Sequence, residues 1–203
     1  MAEWEEKLPP LIREKLARIG KVTPEEKERM KGSEQLDSIL SEFYKGQLDS
    51  EGLWKRLKEY KEQGKESLLK EAQMKLVNSI SRGNAVADFQ KCKGGILAIE
   101  TLKEDQNTSV LELSLNSLEV LQRRYREEMQ RAHNALKAKV ERNPQLRMEQ
   151  VKQGQTTVII QLSVEEVVKR NPEWQDFLSR HEKRYGQEFA KAIERLNTEV
   201  KCH

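Results

Sequence analysis

The stretch SVLELSLNSLEVLQRRYREEMQRAHNALKAKVERN, residues 109–143, decides the fold class. Within it Leu111, Leu115, Leu118, Tyr125, Met129, Ala132, Leu136 and Val140 keep close to a seven-residue repeat, with Leu121 beside a gap at Gln122. Apolar side chains at that spacing line one face of an α-helix. Ser109 and Glu112 fit a capping box and Asn143-Pro144 supplies a stop, so a helix is expected over 110–142. At 1.5 Å per residue it would be about 50 Å long. A seam of that length needs a partner to match. Two candidates present themselves: the stretch 50–82, or the same helix of a second chain. Leu111, Leu115, Leu118, Tyr125, Met129 and Leu136 are therefore candidate residues of an association seam.

Outward from this helix, stop and start signals divide the rest of the chain. Leu8, Leu11, Ile12, Leu16 and Ile19 follow helical spacing, with Pro10 at a first helical position and Gly20 as a stop. Thr23-Pro24-Glu25-Glu26 forms a capping box for a short polar helix expected to end at Gly32. Ser33 then caps a helix with Leu36, Ile39, Leu40, Phe43 and Tyr44 on one face. Residues 50–82 read as one helix, bent at Gly64 if at all, since one interior glycine costs only about 1 kcal/mol relative to alanine. Gly83-Asn84 ends it and caps the next, which carries Val86, Phe89, Cys92, Ile96 and Ile99 and is expected to continue through Gly94-Gly95. After the long helix, the β-branched run Thr156–Leu162 is the one convincing strand. It needs a partner: either 146–151 through a turn at 152–155, or its own copy in a second subunit. Ser163-Val164-Glu165-Glu166 is a further capping box. The last helix starts at Asn171-Pro172 and carries Trp174, Phe177, Leu178, His181, Tyr185, Phe189, Ile193 and Leu196.

The expected fold class is mainly α: an elongated helical bundle or antiparallel coiled coil with one small β element near 146–162. A boundary would fall near Asp105–Thr108, giving regions 1–105 and 106–203; one continuous domain is the alternative. The order of long helix, small β element and returning helix is similar to that of coiled-coil proteins such as prefoldin. That is a likeness of layout alone, with no shared motif to carry a function.

Composition agrees with extended helices. Only 36% of residues are apolar, 35% are charged, and mean hydropathy is −0.85. Amphipathic helices bury a narrow stripe and leave the rest in water, so they tolerate such a balance. Disorder usually accompanies a large net charge and no periodicity; here 37 basic residues face 34 acidic ones. Two cysteines, Cys92 and Cys202, form no disulfide framework. The acidic start Met1-Ala2-Glu3-Trp4-Glu5-Glu6 is not a secretion signal, and no apolar run is long enough for a membrane span. A cytoplasmic protein is expected.

No catalytic, metal or cofactor signature emerges. His133, His181 and His203 are far apart and none has a second His or Cys at i+4. His181 reads as a hydrogen-bonded core histidine, and Cys92 as a buried inert thiol. Lysines beside Gly94-Gly95 would suit an anion if a helix began there, but the phosphate-loop pattern is missing. Residues 119–142 hold seven basic against four acidic side chains. Arg123, Arg124, Arg126 and Arg131 fall outside the seam and are candidate contacts to phosphates or an acidic partner. The leading expectation is a non-catalytic helical interaction or scaffold protein, self-associating as a homodimer or binding a helical partner. The alternatives are a nucleic-acid-associated protein using the basic face, and a ligand-binding regulator or enzyme with a pocket that sequence does not reveal.

Overall fold

The computed structural model describes residues 23–154 and 156–202. The helix expected around Leu8–Ile19, and the pair Cys202-His203 as a ligand candidate, lie outside the described residues and side chains. The architecture is mainly α, with a small antiparallel two-stranded sheet. In chain order the elements are α1 (Pro24–Tyr44), α2 (Ser50–Glu62), α3 (Glu66–Ser79), α4 (Val86–Glu100), α5 (Thr108–Arg142), β1 (Met148–Gln153), β2 (Thr156–Gln161), α6 (Val164–Arg170) and α7 (Pro172–Cys202).

Capping chemistry sets several of these ends. Thr23 Oγ1 accepts from the Glu26 N–H at 3.1 Å while the Glu26 carboxylate accepts from the Thr23 N–H at 2.8 Å. The same reciprocal pair forms at Ser163 and Glu166. Each satisfies two helix-terminal donors that would otherwise lack partners.

Four local expectations are corrected. First, α1 does not stop at Gly32. It runs through to Tyr44, and Ser33 Oγ, instead of capping a new helix, donates to Glu71 Oε1 at 2.6 Å. Gly32 is there for close packing: a Cβ would lie 3.0 Å from Leu68 Cδ1. Second, 50–82 is not one helix. Gly64 sits at φ +72°, a left-handed conformation that terminates α2, and α3 starts two residues later. Third, Asn84 does not cap α4; its carboxamide oxygen accepts from the Ser81 N–H, and Ala85 holds the cap position. Fourth, α5 begins at Thr108 with Asn107 at its cap, so Ser109 and Glu112 form no capping box. The Asn107 N–H is taken instead by Glu100 Oε1 at 2.8 Å.

α4 does pass through Gly94-Gly95. Gly95 is buried, and a Cβ there would lie 2.9 Å from Phe43 Cζ and 3.1 Å from Leu76 Cδ1. Neither neighbour has room to retreat, because Phe43 and Leu76 are fully buried. Gly95→Val is therefore expected to lower stability by about 1–3 kcal/mol through overpacking, read as the shift in the urea midpoint. An unchanged midpoint would show that the α1–α4 contact is looser than the structure implies.

The main apolar cluster draws on every described α-helix except α6. Leu36, Phe43, Leu53, Leu57, Leu76, Phe89, Ile96, Ile99, Leu111, Leu115 and Leu118 meet Phe189, Leu196 and Val200 there. It thus takes side chains from both sides of Asp105. A second, smaller cluster joins Leu136, Val140 and Val168, with Val164, Val167 and Trp174 packed against it. The two clusters divide α5: its first half is part of the body, and its second half leaves the body beside α7.

Candidate association surface

α5 spans 35 residues, about 52 Å. Its partner along the second half is α7 of the same chain. Tyr125 meets His181 and Tyr185, Glu128 meets Arg184, His133 meets Trp174 and Lys139 meets Glu173, so the helices run antiparallel. The stretch 50–82 does not fill that role, because Gly64 splits it, and α7, at 31 residues, lies along the stripe instead. Of the candidate seam residues, Leu111, Leu115 and Leu118 are buried in the main cluster and Leu136 in the smaller one, while Tyr125 and Met129 are half-buried. The expected gap is filled: Gln122 is buried, and its carboxamide donates to the Ser81 carbonyl.

Aromatic rings fill the middle of this arm. Trp174 stacks on Phe177, Phe177 on His181, and His181 on Tyr125, with centroids 5.5, 5.0 and 4.9 Å apart. His181 is 3% exposed, and its Nε2 lies 3.1 Å from the Tyr125 carbonyl, so the reading as a hydrogen-bonded core histidine is met. Its Nδ1 stands 3.7 Å from Glu128 Oε2. Around the stack, Arg82 Nη1 donates to Glu182 Oε2 at 2.6 Å, and the Tyr125 hydroxyl donates to the other Glu182 oxygen.

Both carboxylates in this cluster titrate below the ordinary value of 4.5. Burial pushes Glu128 upward, but hydrogen bonds from Tyr185 and Arg184 outweigh it. For Glu182 the bond from Tyr125 dominates, against burial and with Arg82 adding to it. A depressed carboxylate contributes stability that is present above its unfolded value and is lost as pH falls through its folded value. The urea midpoint should therefore fall as pH drops below about 4.5 and gain nothing from these groups between pH 8 and 6. Glu182→Gln should flatten the acid limb; an equally steep limb in that variant would contradict the assignment.

The four candidate arginines have different surroundings. Arg123 and Arg131 flank Glu127 at 3.9 and 3.7 Å, and Arg124 is exposed. Arg126 does not point to solvent as its heptad position implies: it is half-buried, and its Nη1 donates to the Asn84 carbonyl at 3.2 Å. The anion candidate at Gly94-Gly95 falls inside a helix, with Lys93 engaged by Asn116 at 2.6 Å and Glu119 at 3.1 Å. Cys92 is buried against Ser79 Oγ at 3.4 Å, and burial pushes its thiol upward, as expected of an inert cysteine. Among the described residues no cluster of three or more His, Cys, Asp or Glu side chains could hold a metal, and no helix is long and apolar enough to cross a membrane.

The β element lies beyond the end of α5. β1 and β2 pair antiparallel within the chain, Met148 opposite Gln161 through Gln153 opposite Thr156, with Gly154 at φ +62° in the turn. The strand's partner is thus within the chain, but it is Met148–Gln153 rather than 146–151: Leu146 lies in a 3-10 turn, and Lys152 and Gln153, expected in the turn, pair in the ladder. What the sequence left unseen is how little covers the hairpin. Every residue of β2 is exposed, Ile159 by 62%, and Leu146 and Met148 on the approach are exposed too. Contacts to α6 are confined to its base, where Arg170 reaches Glu149 at 3.0 Å. A two-stranded hairpin in water is marginal by itself, and an uncharged edge strand with an apolar centre is a template for pairing. Val158, Ile159 and Ile160 join the candidate surface on this ground. A run of β-branched residues without alternation pointed to the strand but usually signals burial, which is why its exposure was not legible.

The chain belongs to a family of unknown function (DUF6657). The family's profile matches residues 54–199, which takes in the antiparallel arm and the whole hairpin. No curated protein and no solved structure matches the chain.

Proposed function

We propose that this member of the family is a non-catalytic helical scaffold that self-associates through the β hairpin carried by the α5–α7 arm. The observation that supports the reading is that every residue of Thr156–Gln161 is exposed, with Ile159 at 62%, in an uncharged strand whose outer edge is open. The long seam, by contrast, is occupied by the chain's own α7, so association falls to the hairpin. The body gives the arm a rigid base, because the first half of α5 and the second half of α7 are locked into the main cluster. An arm with a sticky tip on a packed base suits the task of holding two chains at a set separation.

Light scattering across a dilution series tests the reading. The expected mass is twice the 23.7 kDa of the chain at high concentration, falling toward 23.7 kDa on dilution. A mass of one chain throughout would overturn it.

A further inference from the structure

We infer that the partner of the hairpin is a second copy of this chain, joined β2 to β2 about a two-fold axis through Ile159. This rests on the association reading above and goes on to name its partner and register.

The open backbone groups fix which residues can bond outward. The Leu162 N–H donates to the Arg147 carbonyl at 2.8 Å, so that opposed pair is hydrogen-bonded. Opposed pairs alternate between bonded and non-bonded along an antiparallel ladder. Counting along the register, Glu149–Ile160 and Val151–Val158 are bonded pairs, while Met148–Gln161, Gln150–Ile159 and Lys152–Thr157 are not. Thr157, Ile159 and Gln161 therefore turn their N–H and C=O groups away from β1, toward solvent.

Side-chain matching then selects a register. A two-fold axis between antiparallel strands stands normal to the sheet, so a residue on the axis faces its own copy. With Ile159 on the axis, Ile159 faces Ile159, Val158 faces Ile160, and Thr157 faces Gln161. Apolar meets apolar and polar meets polar, and β-branched cross-strand pairs are favourable. All three outward residues are hydrogen-bonded in this arrangement. With Val158 on the axis, Ile159 would face Thr157, Ile160 would face Thr156, and Gln161 would lie opposite the turn. The first register is self-complementary and the second is not.

Charge explains why growth stops at two. Residues 156–161 carry no charge, whereas β1 carries Glu149 and Lys152. Charged side chains blunt a sheet edge. The four-stranded sheet β1-β2-β2-β1 thus ends on guarded edges, and the assembly closes as a dimer. Two six-residue strands make a small contact, near or below the roughly 1,200 Å² of weak interfaces, so the dimer should dissociate on dilution.

Crosslinking of the full chain tests the register, with Cys202→Ser to leave buried Cys92 as the sole native thiol. Ile159→Cys should give dimer as the main product with a short bismaleimide, since bonded antiparallel neighbours lie about 5.5 Å apart. Lys152→Cys, on the far strand, should give none above background. As a second route, mixed Val158→Cys and Ile160→Cys chains should oxidise to a disulfide-linked pair, because non-bonded neighbours approach to about 4.5 Å. If light scattering reports a dimer but neither route links it, or Lys152→Cys links as well as Ile159→Cys, the strand pairing is wrong while association stands. A chain that is monomeric throughout removes both.

Discussion

Glu100→Ala is expected to cost about 3–5 kcal/mol of folding stability, the loss that follows when one partner of a buried ion pair is removed. Glu100 is fully buried at the end of α4 and gathers donors from three directions. Gln73 Nε2 donates to it at 2.8 Å, the Asn107 N–H at 2.8 Å, and Lys103 Nζ at 2.9 Å. Burial pushes its carboxyl upward, and these bonds more than reverse that, holding it below the ordinary value. The alanine variant leaves the Lys103 ammonium, whose side chain is only 9% exposed, without a counter-charge and with only the Val200 carbonyl at 3.5 Å, and it removes the acceptor of the Asn107 N–H at the start of α5. Glu100→Gln retains an acceptor for Asn107 and should recover part of the loss. Urea denaturation reads the effect; a loss under about 1 kcal/mol, the scale of an exposed pair, would mean that the cluster is open to water.

The second large effect concerns association. Ile159→Lys should abolish dimer formation while leaving helix content and the urea midpoint of the body unchanged. Two opposed lysines would stand on the two-fold axis, and like charges directly opposite are destabilising. Folding is spared because Ile159 is 62% exposed and contributes nothing to either apolar cluster. The same substitution at Leu115 would unfold the body, since that side chain is fully buried. The contrast separates a surface role from a core role.

The helices were legible where local chemistry alone sets an end. Thr23 and Ser163 fold as capping boxes because the cap needs only residues within three positions, and Asn143-Pro144 stops α5 because proline has no N–H to give. At other positions the local signal does not decide the local structure. Gly32 resembles a stop, yet it lies inside α1, where Leu68 Cδ1 stands 3.0 Å from where a Cβ would be. Gly64 resembles a tolerable interior glycine, yet it adopts φ +72° and parts α2 from α3. No property of one isolated residue distinguishes the two.

The surface was legible in part. The heptad stripe located Leu111, Leu115, Leu118 and Leu136 as a seam, but periodicity does not say whose helix covers it, and α7 of the same chain does. The strand at 156–162 was plain from its β-branched run. Its exposure was not, because whether a helix packs behind a strand depends on where the chain goes next. Arg126 shows the same limit, since its heptad position points outward while the carbonyl of Asn84 draws it in.

Sedimentation equilibrium of the unmodified chain and Ile159→Lys, side by side at the same concentrations, tests the central claim most directly. Concentration-dependent association toward twice 23.7 kDa for the unmodified chain, with Ile159→Lys held at 23.7 kDa, is the predicted result. An unmodified chain that stays monomeric, or an Ile159→Lys variant that dimerises equally well, would contradict it.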